Sequence, residues 1–376
     1  MEKHRIGLLD SFRFIAVTIV VLYHLTNPLT IGSHDAGLTF PVFRYGYLGV
    51  EFFFIISGFV ISYSLENTAT IGVFFLHRFK RLFPAMLLYS LITFAVVCWL
   101  DIAHFFRNAH YSRNLLPGFT FINPAIWSNL TGIDFHWING SYWSLWTEVQ
   151  FYFISACVYF LNKKRFFTNM LLAGIIISIV KDVPGILIND HNELVSKYGL
   201  IQFFKSWQYC SELFNLTFYI TWFMCGVIFY QLYKGIVFKG NIFRIAGSIA
   251  ILYLLYYDIH TYFNSLLWGM LAGTVVMLVL FLLLIYKKQY LQFLNNKLLR
   301  RIGVISYGIY LIHEEIGILL MRLYGPYMGK WITLAPYIVL ILMIIVAELG
   351  YRYVERKVNY FTRKRPSPLA PEAKIA

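Results

Sequence analysis

Apolar runs of about twenty residues recur along the chain, separated by short segments where polar and basic residues collect. A run of that length crosses the hydrocarbon core of a bilayer as a helix, at a rise of about 1.5 Å per residue. The pattern predicts helices over residues 8–27, 47–65, 82–100, 144–161, 168–187, 213–232, 242–257, 264–286, 302–323 and 332–354. The first run contains Asp10 and Arg13 and has no small-residue cleavage site before Pro28, so it reads as a retained helix rather than a leader. The expected fold class is therefore an all-α polytopic membrane protein, a bundle of about ten transmembrane helices over residues 1–355. Residues 356–376, with "RKRPSPLAPEAKIA", read as a flexible basic cytoplasmic tail.

An even number of spans puts both termini on one side, and the positive-inside rule selects the cytoplasm. On that assignment the clusters Arg78/Lys80/Arg81, Lys163/Lys164/Arg165, Lys287/Lys288 with Arg300/Arg301, and Arg363/Lys364/Arg365 all face inward. The longest outward connection, 101–143, contains "LLPGFTFINPAIWSNLTGIDFHWINGSYW". It is too aromatic for a disordered linker and too broken for a span. Short interfacial or re-entrant helices covering an outer pocket are expected there, or an aromatic interface belt, and the two are compatible.

Composition agrees. The chain has 376 residues, 59% hydrophobic and only 13% charged, where a soluble protein carries about 25% charged residues. The net charge of +14 would suit a nucleic-acid partner, but the basic residues sit at span ends, which argues against one. Cys98, Cys157, Cys210 and Cys225 form no CxxC pair, so neither a disulfide framework nor a zinc site is expected.

Ionisable residues inside the spans carry the candidate chemistry, because they are costly there. In "RFIAVTIVVLYH", eleven helical steps of about 100° return to within roughly 20° of the starting direction, so Arg13 and His24 share a face about 16 Å apart along the axis. Arg13 falls near the cytoplasmic boundary and His24 near the outer end. A snorkelling arginine paired with Asp10 and an interfacial histidine would give the same pattern. The second span, "GYLGVEFFFIISGFVISYSL", puts Glu51 near its outer end and Ser57 and Gly58 at mid-helix. Gly58 suits close helix packing; Ser57 could bond a ligand or its own backbone. Just before the third span, "HRFKRLFP" holds Arg78 and Arg81 on one helical face. With Arg13 they make a cytosolic-side trio suited to a phosphorylated ligand, although RxxR alone could be a topology signal. "GSYWSLWTEVQFYF" opens the fourth span, and Glu148 there falls near the depth of His24. A His–carboxylate pair is what a general base requires, while Arg107 or Arg113 could hold Glu148 structurally. "SYGIYLIHEEI" puts His313, Glu314 and Glu315 in the ninth span, as a catalytic group, a proton relay or a packing network.

Five of these pieces together resemble the acyltransferase 3 family of integral membrane acyltransferases: Arg13 and His24 as R-x10-H, "GVEFFFIISGF", Arg78-x-x-Arg81 with Pro84, "WSLWTE" ending at Glu148, and "SYGIYLIH". They run in family order over about residues 5–355. Glu51 stands where many members have aspartate. No SGNH-type esterase domain follows the last span, so the chain looks like a stand-alone member. The resemblance implies a bacterial cytoplasmic-membrane O-acetyltransferase. It would move acetyl from acetyl-CoA to a hydroxyl of O-antigen, exopolysaccharide, capsule or another glycan at the membrane lipid surface. It also implies an essential His24, and Arg13, Arg78 and Arg81 holding coenzyme A.

The reading that follows has the arginines at the inner face, the thioester raised to His24 as general base, and Glu148 fixing the His24 tautomer. Glu51, Ser57, Trp143, Ser144 and His313 are expected to line the cavity, and no metal is expected. A transporter or flippase for lipid-linked glycan is the rival reading, against which no inverted repeat is visible.

Overall fold

The structure is a computed structural model and describes residues 6–26, 43–183, 187, 199–235, 241–262 and 266–358. The described residues form helices joined by turns, with no strand among them. In chain order the main helices are α1 Gly7–Thr26, α2 Leu48–Glu66, α3 Ile71–Leu100, α4 Leu115–Thr120, α5 Pro124–Thr131, α6 Trp143–Leu161 and α7 Phe166–Val180. They continue with α8 Ile201–Leu213, α9 Leu216–Tyr233, α10 Ile242–Tyr262, α11 Leu267–Tyr286, α12 Lys297–Ile312, α13 Glu315–Tyr324 and α14 Ala335–Gly350.

Among the described residues, seven helical stretches are long and apolar enough to cross a membrane: α1, α2, α3, α9, α10, α11, and the run Glu315–Val358 that contains α13 and α14. The protein is thus an all-helical membrane protein with seven such stretches, where the hydropathy pattern suggested about ten. Each departure has a local cause. α6 has the length, but Ser144, Thr147, Glu148 and Gln150 lower its hydropathy. α7 has only 15 residues, and residues 184–186 of the expected fifth span lie outside the described residues. The expected ninth span is broken at His313 and Glu314, between α12 and α13. The cytoplasmic tail beyond residue 358 also lies outside the described residues.

Backbone contact between helices, permitted by glycine, sets the centre of the bundle. A Cβ on Gly58 would lie 2.0 Å from the Phe223 carbonyl oxygen, and one on Gly226 would lie 2.0 Å from that of Ile55. α2 and α9 therefore meet main chain to main chain, as the packing role of Gly58 predicts. α1 and α12 meet in the same way: a Cβ on Gly303 would strike the Asp10 carbonyl. Phe52, Phe59, Phe223 and Phe281 fill the space between these helices. α10 and α11 turn Phe243, Tyr253, Trp268 and Val276 outward, an apolar face suited to lipid.

The 101–143 connection is built from short helices, as expected: turns at Arg107–His110, Ser112–Asn114 and Gly140–Tyr142 flank α4 and α5. Its first bend is fixed by Asp101, which receives the amides of Phe105 at 2.9 Å and Phe106 at 2.8 Å and lies 3.2 Å from His110. Burial alone would raise that carboxyl's pKa. The two amides and His110 more than offset burial, and hold it below the usual aspartate value.

Candidate active site

Arg78 and Arg81 lie inside a helix, not in a loop before one. α3 begins at Ile71, where the Thr70 side chain accepts the Val73 amide at 3.4 Å. The two arginines thus project from a rigid element, one turn before Pro84. Arg78 Nη2 donates to Ser64 Oγ at 2.8 Å. Its guanidinium lies 5.5 Å from the ring centre of Phe74 and 6.0 Å from that of Tyr152. Arg78 Nε and Nη1 are shielded from solvent and have no hydrogen-bond partner among the described residues. Arg13 pairs with Asp10, Nη1 to Oδ1 at 3.0 Å, one helical turn away.

These arginines line two adjoining cavities. The larger holds about 1060 Å³ of empty space, and Asp10, Arg13, Tyr63, Arg81, Tyr351 and Glu355 contribute its polar wall. The second holds about 730 Å³ and is lined by Arg13, Ser57, Arg78, Arg81, Ser144 and Glu148, with Tyr152, Tyr307 and Tyr310. Arg13, Val60, Arg81, Ser306 and Tyr307 belong to both walls. Past them the second cavity becomes apolar and aromatic, with Phe53, Phe54, Ile56 and Leu145.

Glu148 lies in this second cavity. Ser57 Oγ donates to its Oε1 at 2.6 Å, a contact across α2 and α6, so Ser57 does not spend its hydroxyl on its own helix. The Glu148 charge acts on Arg78, Tyr152 and Tyr307. Arg113 instead stacks on Tyr111, 4.6 Å from the ring centre.

His24 occupies a different place. Its ring centre is 5.0 Å from that of His313 and edge-on to it, with Tyr23 on another side at 5.1 Å. His313 is fully buried. Its Nδ1 lies 2.6 Å from the Tyr310 carbonyl, which can only accept, so Nδ1 carries the proton and Nε2 presents a lone pair. That Nε2 has no hydrogen-bond partner among the described residues. The break after α12 makes the site: the Leu311 carbonyl accepts from Asn139 Nδ2 at 3.3 Å and from the Tyr142 hydroxyl at 3.2 Å, and the Gly140 amide donates to Glu315 at 2.6 Å. The end of the 101–143 connection therefore clamps the interrupted helix.

The structure gives His24 and Glu148 different neighbours, His313 and Ser57 respectively. His24 lines neither cavity. Phe53 and Tyr310 line the second cavity with ring centres 6.0 Å apart, and Tyr310 is 5.0 Å from His313. Ser144 shares a 2.8 Å hydrogen bond with the Tyr310 hydroxyl. Trp143 lies against Tyr219, 5.0 Å between centres, and against Phe54 at 6.3 Å. Glu51 is buried near Tyr47, Tyr219 and Tyr310, and its Oε2 has no hydrogen-bond partner among the described residues. The sequence reading did not single out Tyr152, Tyr307 or Tyr310. The signal was present for two of them, since residues three apart in "SYGIY" share a helix face with His313 three further on.

Comparison with known proteins agrees with this arrangement. A family model described as an acyltransferase domain matches residues 6–350. Three proteins of Staphylococcus aureus, from strains COL, MSSA476 and MRSA252, each named "Putative O-acetyltransferase", are 31% identical to this chain over 108 residues. That stretch is 27% of this chain and 16% of each relative's length. No solved structure matches. With the family's domain running across nearly all of the helical bundle, the chain belongs to the acyltransferase 3 family.

Proposed function

We propose that the protein is an O-acetyltransferase of the bacterial cytoplasmic membrane, with both termini in the cytosol. It moves acetyl from acetyl-CoA to a hydroxyl of a cell-surface carbohydrate or lipid-linked glycan. One observation carries the reading: two adjoining cavities share Arg13 and Arg81, and Arg78 lines the second, with two solvent-shielded guanidinium nitrogens that have no hydrogen-bond partner among the described residues. Buried, unmatched donors of that kind suit a phosphorylated ligand, because the guanidinium fork fits phosphate oxygens. The residues present thus fit coenzyme A.

In this reading Arg13, Arg78 and Arg81 hold the donor's phosphates, and the aromatic upper chamber takes its uncharged arm. Arg13 and His24 are about 16 Å apart along α1, the rise of eleven residues, so the acetyl end has to travel up the bundle. The chamber ends at Phe53 and Tyr310, and movement of that pair admits the thioester to His24. His24 takes the proton of the acceptor hydroxyl. The alkoxide oxygen attacks the thioester carbonyl, the C–S bond breaks, and the departing thiolate receives the proton from His24. His313, its tautomer set by the Tyr310 carbonyl, faces His24 and stabilises the protonated ring. Glu148, held by Ser57, acts on the donor side by orienting Arg78 and the neighbouring hydroxyls.

Transfer of labelled acetyl from acetyl-CoA to glycan by the purified protein tests the reading. His24→Ala should lower it about 10²–10⁴-fold while insertion and folding stay normal. Activity within a few-fold of wild type removes His24 from the mechanism. A deletion strain should lack one O-acetyl group on a surface glycan.

A further inference from the structure

Tyr307 has a role that neither the motif nor the trio of arginines supplies. It lines both cavities and stands where their walls are shared. Its hydroxyl is shielded from solvent, and it has no hydrogen-bond partner among the described residues. A polar group in that state costs stability unless something satisfies it. The neighbouring tyrosines on the same face are matched: the Tyr310 hydroxyl bonds Ser144 at 2.8 Å, and that of Tyr142 bonds the Leu311 carbonyl at 3.2 Å. Phenylalanine would fill the place of Tyr307 without the cost.

The position indicates what the hydroxyl meets. In the larger cavity lie Arg13 and Arg81, suited to phosphate. The second cavity shares these two arginines, adds Arg78 and Glu148, and also has the apolar wall of Phe53, Phe54, Ile56 and Leu145, suited to an uncharged chain. A ligand with a phosphorylated head and a neutral, amide-bearing tail passes Tyr307 just beyond its last phosphate. A neutral hydroxyl both donates and accepts, which matches an amide. We infer that Tyr307 is a donor-binding residue whose hydroxyl hydrogen-bonds an amide of the pantetheine arm at the junction of the two cavities. The inference rests on the acetyl-CoA reading above.

The test compares wild type, Tyr307→Phe and Arg81→Ala, purified in detergent, by direct binding and by thermal unfolding without ligand. The probes are acetyl-CoA and adenosine 3′,5′-bisphosphate, which carries phosphates but no arm. Tyr307→Phe should weaken acetyl-CoA binding about tenfold, as expected for one lost hydrogen bond. It should leave bisphosphate binding unchanged and leave ligand-free stability equal or higher. Arg81→Ala should weaken both probes. Acetyl-CoA affinity within twofold of wild type in Tyr307→Phe overturns the inference. So does equal weakening of both probes, or a fall in ligand-free stability, which would reveal a protein partner for the hydroxyl. If wild type binds neither probe, the donor reading itself fails, an outcome distinct from failure at Tyr307 alone.

Discussion

Replacing Ser57 by alanine isolates the contact that holds Glu148. The bond is 2.6 Å from hydroxyl to carboxylate oxygen, in the range of charge-assisted bonds. Bonds to a charged group contribute about 1.5–3 kcal/mol, and neutral ones about 0.5–1.5 kcal/mol. Ser57 is buried and Glu148 half-buried against an open cavity, so screening favours the low end of each range. Ser57→Ala should then lower kcat/KM for acetyl-CoA roughly tenfold, since about 1.4 kcal/mol is a factor of ten. In a Glu148→Gln background the same change breaks only a neutral bond and should cost roughly twofold. The four proteins form a double-mutant cycle with a coupling of about 1 kcal/mol. The assay is initial rate against acetyl-CoA concentration in nanodiscs, with thermal unfolding as the folding control. Equal losses in the two backgrounds, or a Ser57→Ala enzyme within twofold of wild type, refute the claim that Ser57 acts through the Glu148 charge.

Gly226→Ala should destabilise the bundle by about 3 kcal/mol, the upper end of the overpacking range, because the new Cβ meets the Ile55 carbonyl at 2.0 Å rather than a flexible side chain; an unchanged unfolding midpoint removes the backbone contact. Arg78→Ala should weaken acetyl-CoA binding about 10–100-fold, and Arg78→Lys should recover only part, because lysine lacks the plane over Phe74 and Tyr152; full recovery in the lysine variant means that charge alone suffices. Asp101 has its carboxyl held below the ordinary value, so its contribution is present above that ordinary value and disappears as pH falls through the lowered one. Hydrogen exchange at the Phe105 and Phe106 amides should accelerate in that acid window and already at neutral pH in Asp101→Asn; identical protection in both proteins at all pH values would count against it.

Hydropathy disclosed the helices best where apolar residues dominate the run, as in α1 and α2, and most plainly in α11, which carries no charged residue. It placed α6 within a residue of its bounds although Ser144, Thr147, Glu148 and Gln150 dilute the apolar signal, and it missed the break that divides the expected ninth span into two shorter helices. The start of α3 was invisible for a related reason. Arg78, Lys80 and Arg81 look like loop charges, yet they ride the first turns of a helix that begins at Ile71. The Arg13–His24 spacing was legible because one helix fixes both depth and direction. The ring contact of His24 with His313 on another element was not. Rise per residue gave Glu148 a matching depth, but depth carries no information on which way a side chain from another helix points. Only packing decides that, and of the two glycines through which α2 approaches α9 the sequence pointed to Gly58 but not to Gly226.

On the proposed reading, the different neighbours of Glu148 and His24 bear on how acyl transfer is arranged. The arginine-lined cavities and the histidine pair are two polar regions of one bundle, with Phe53 and Tyr310 in the wall of the second cavity and Tyr310 against His313. A continuous polar channel would let water reach the thioester along its whole path, and charged groups within it would be poorly insulated from one another. On the proposed reading, Phe53 and Tyr310 instead keep the arginine charges apart from His24, and the Tyr310 hydroxyl is tied to Ser144 on α6. Tyr310 thus touches both halves: its carbonyl sets the His313 tautomer, and its ring closes the chamber. Any displacement of Tyr310 by an arriving acyl end would therefore also be felt at the hydrogen bond that orients His313. On the proposed reading, donor arrival and readiness of the base are in this way coupled through Tyr310.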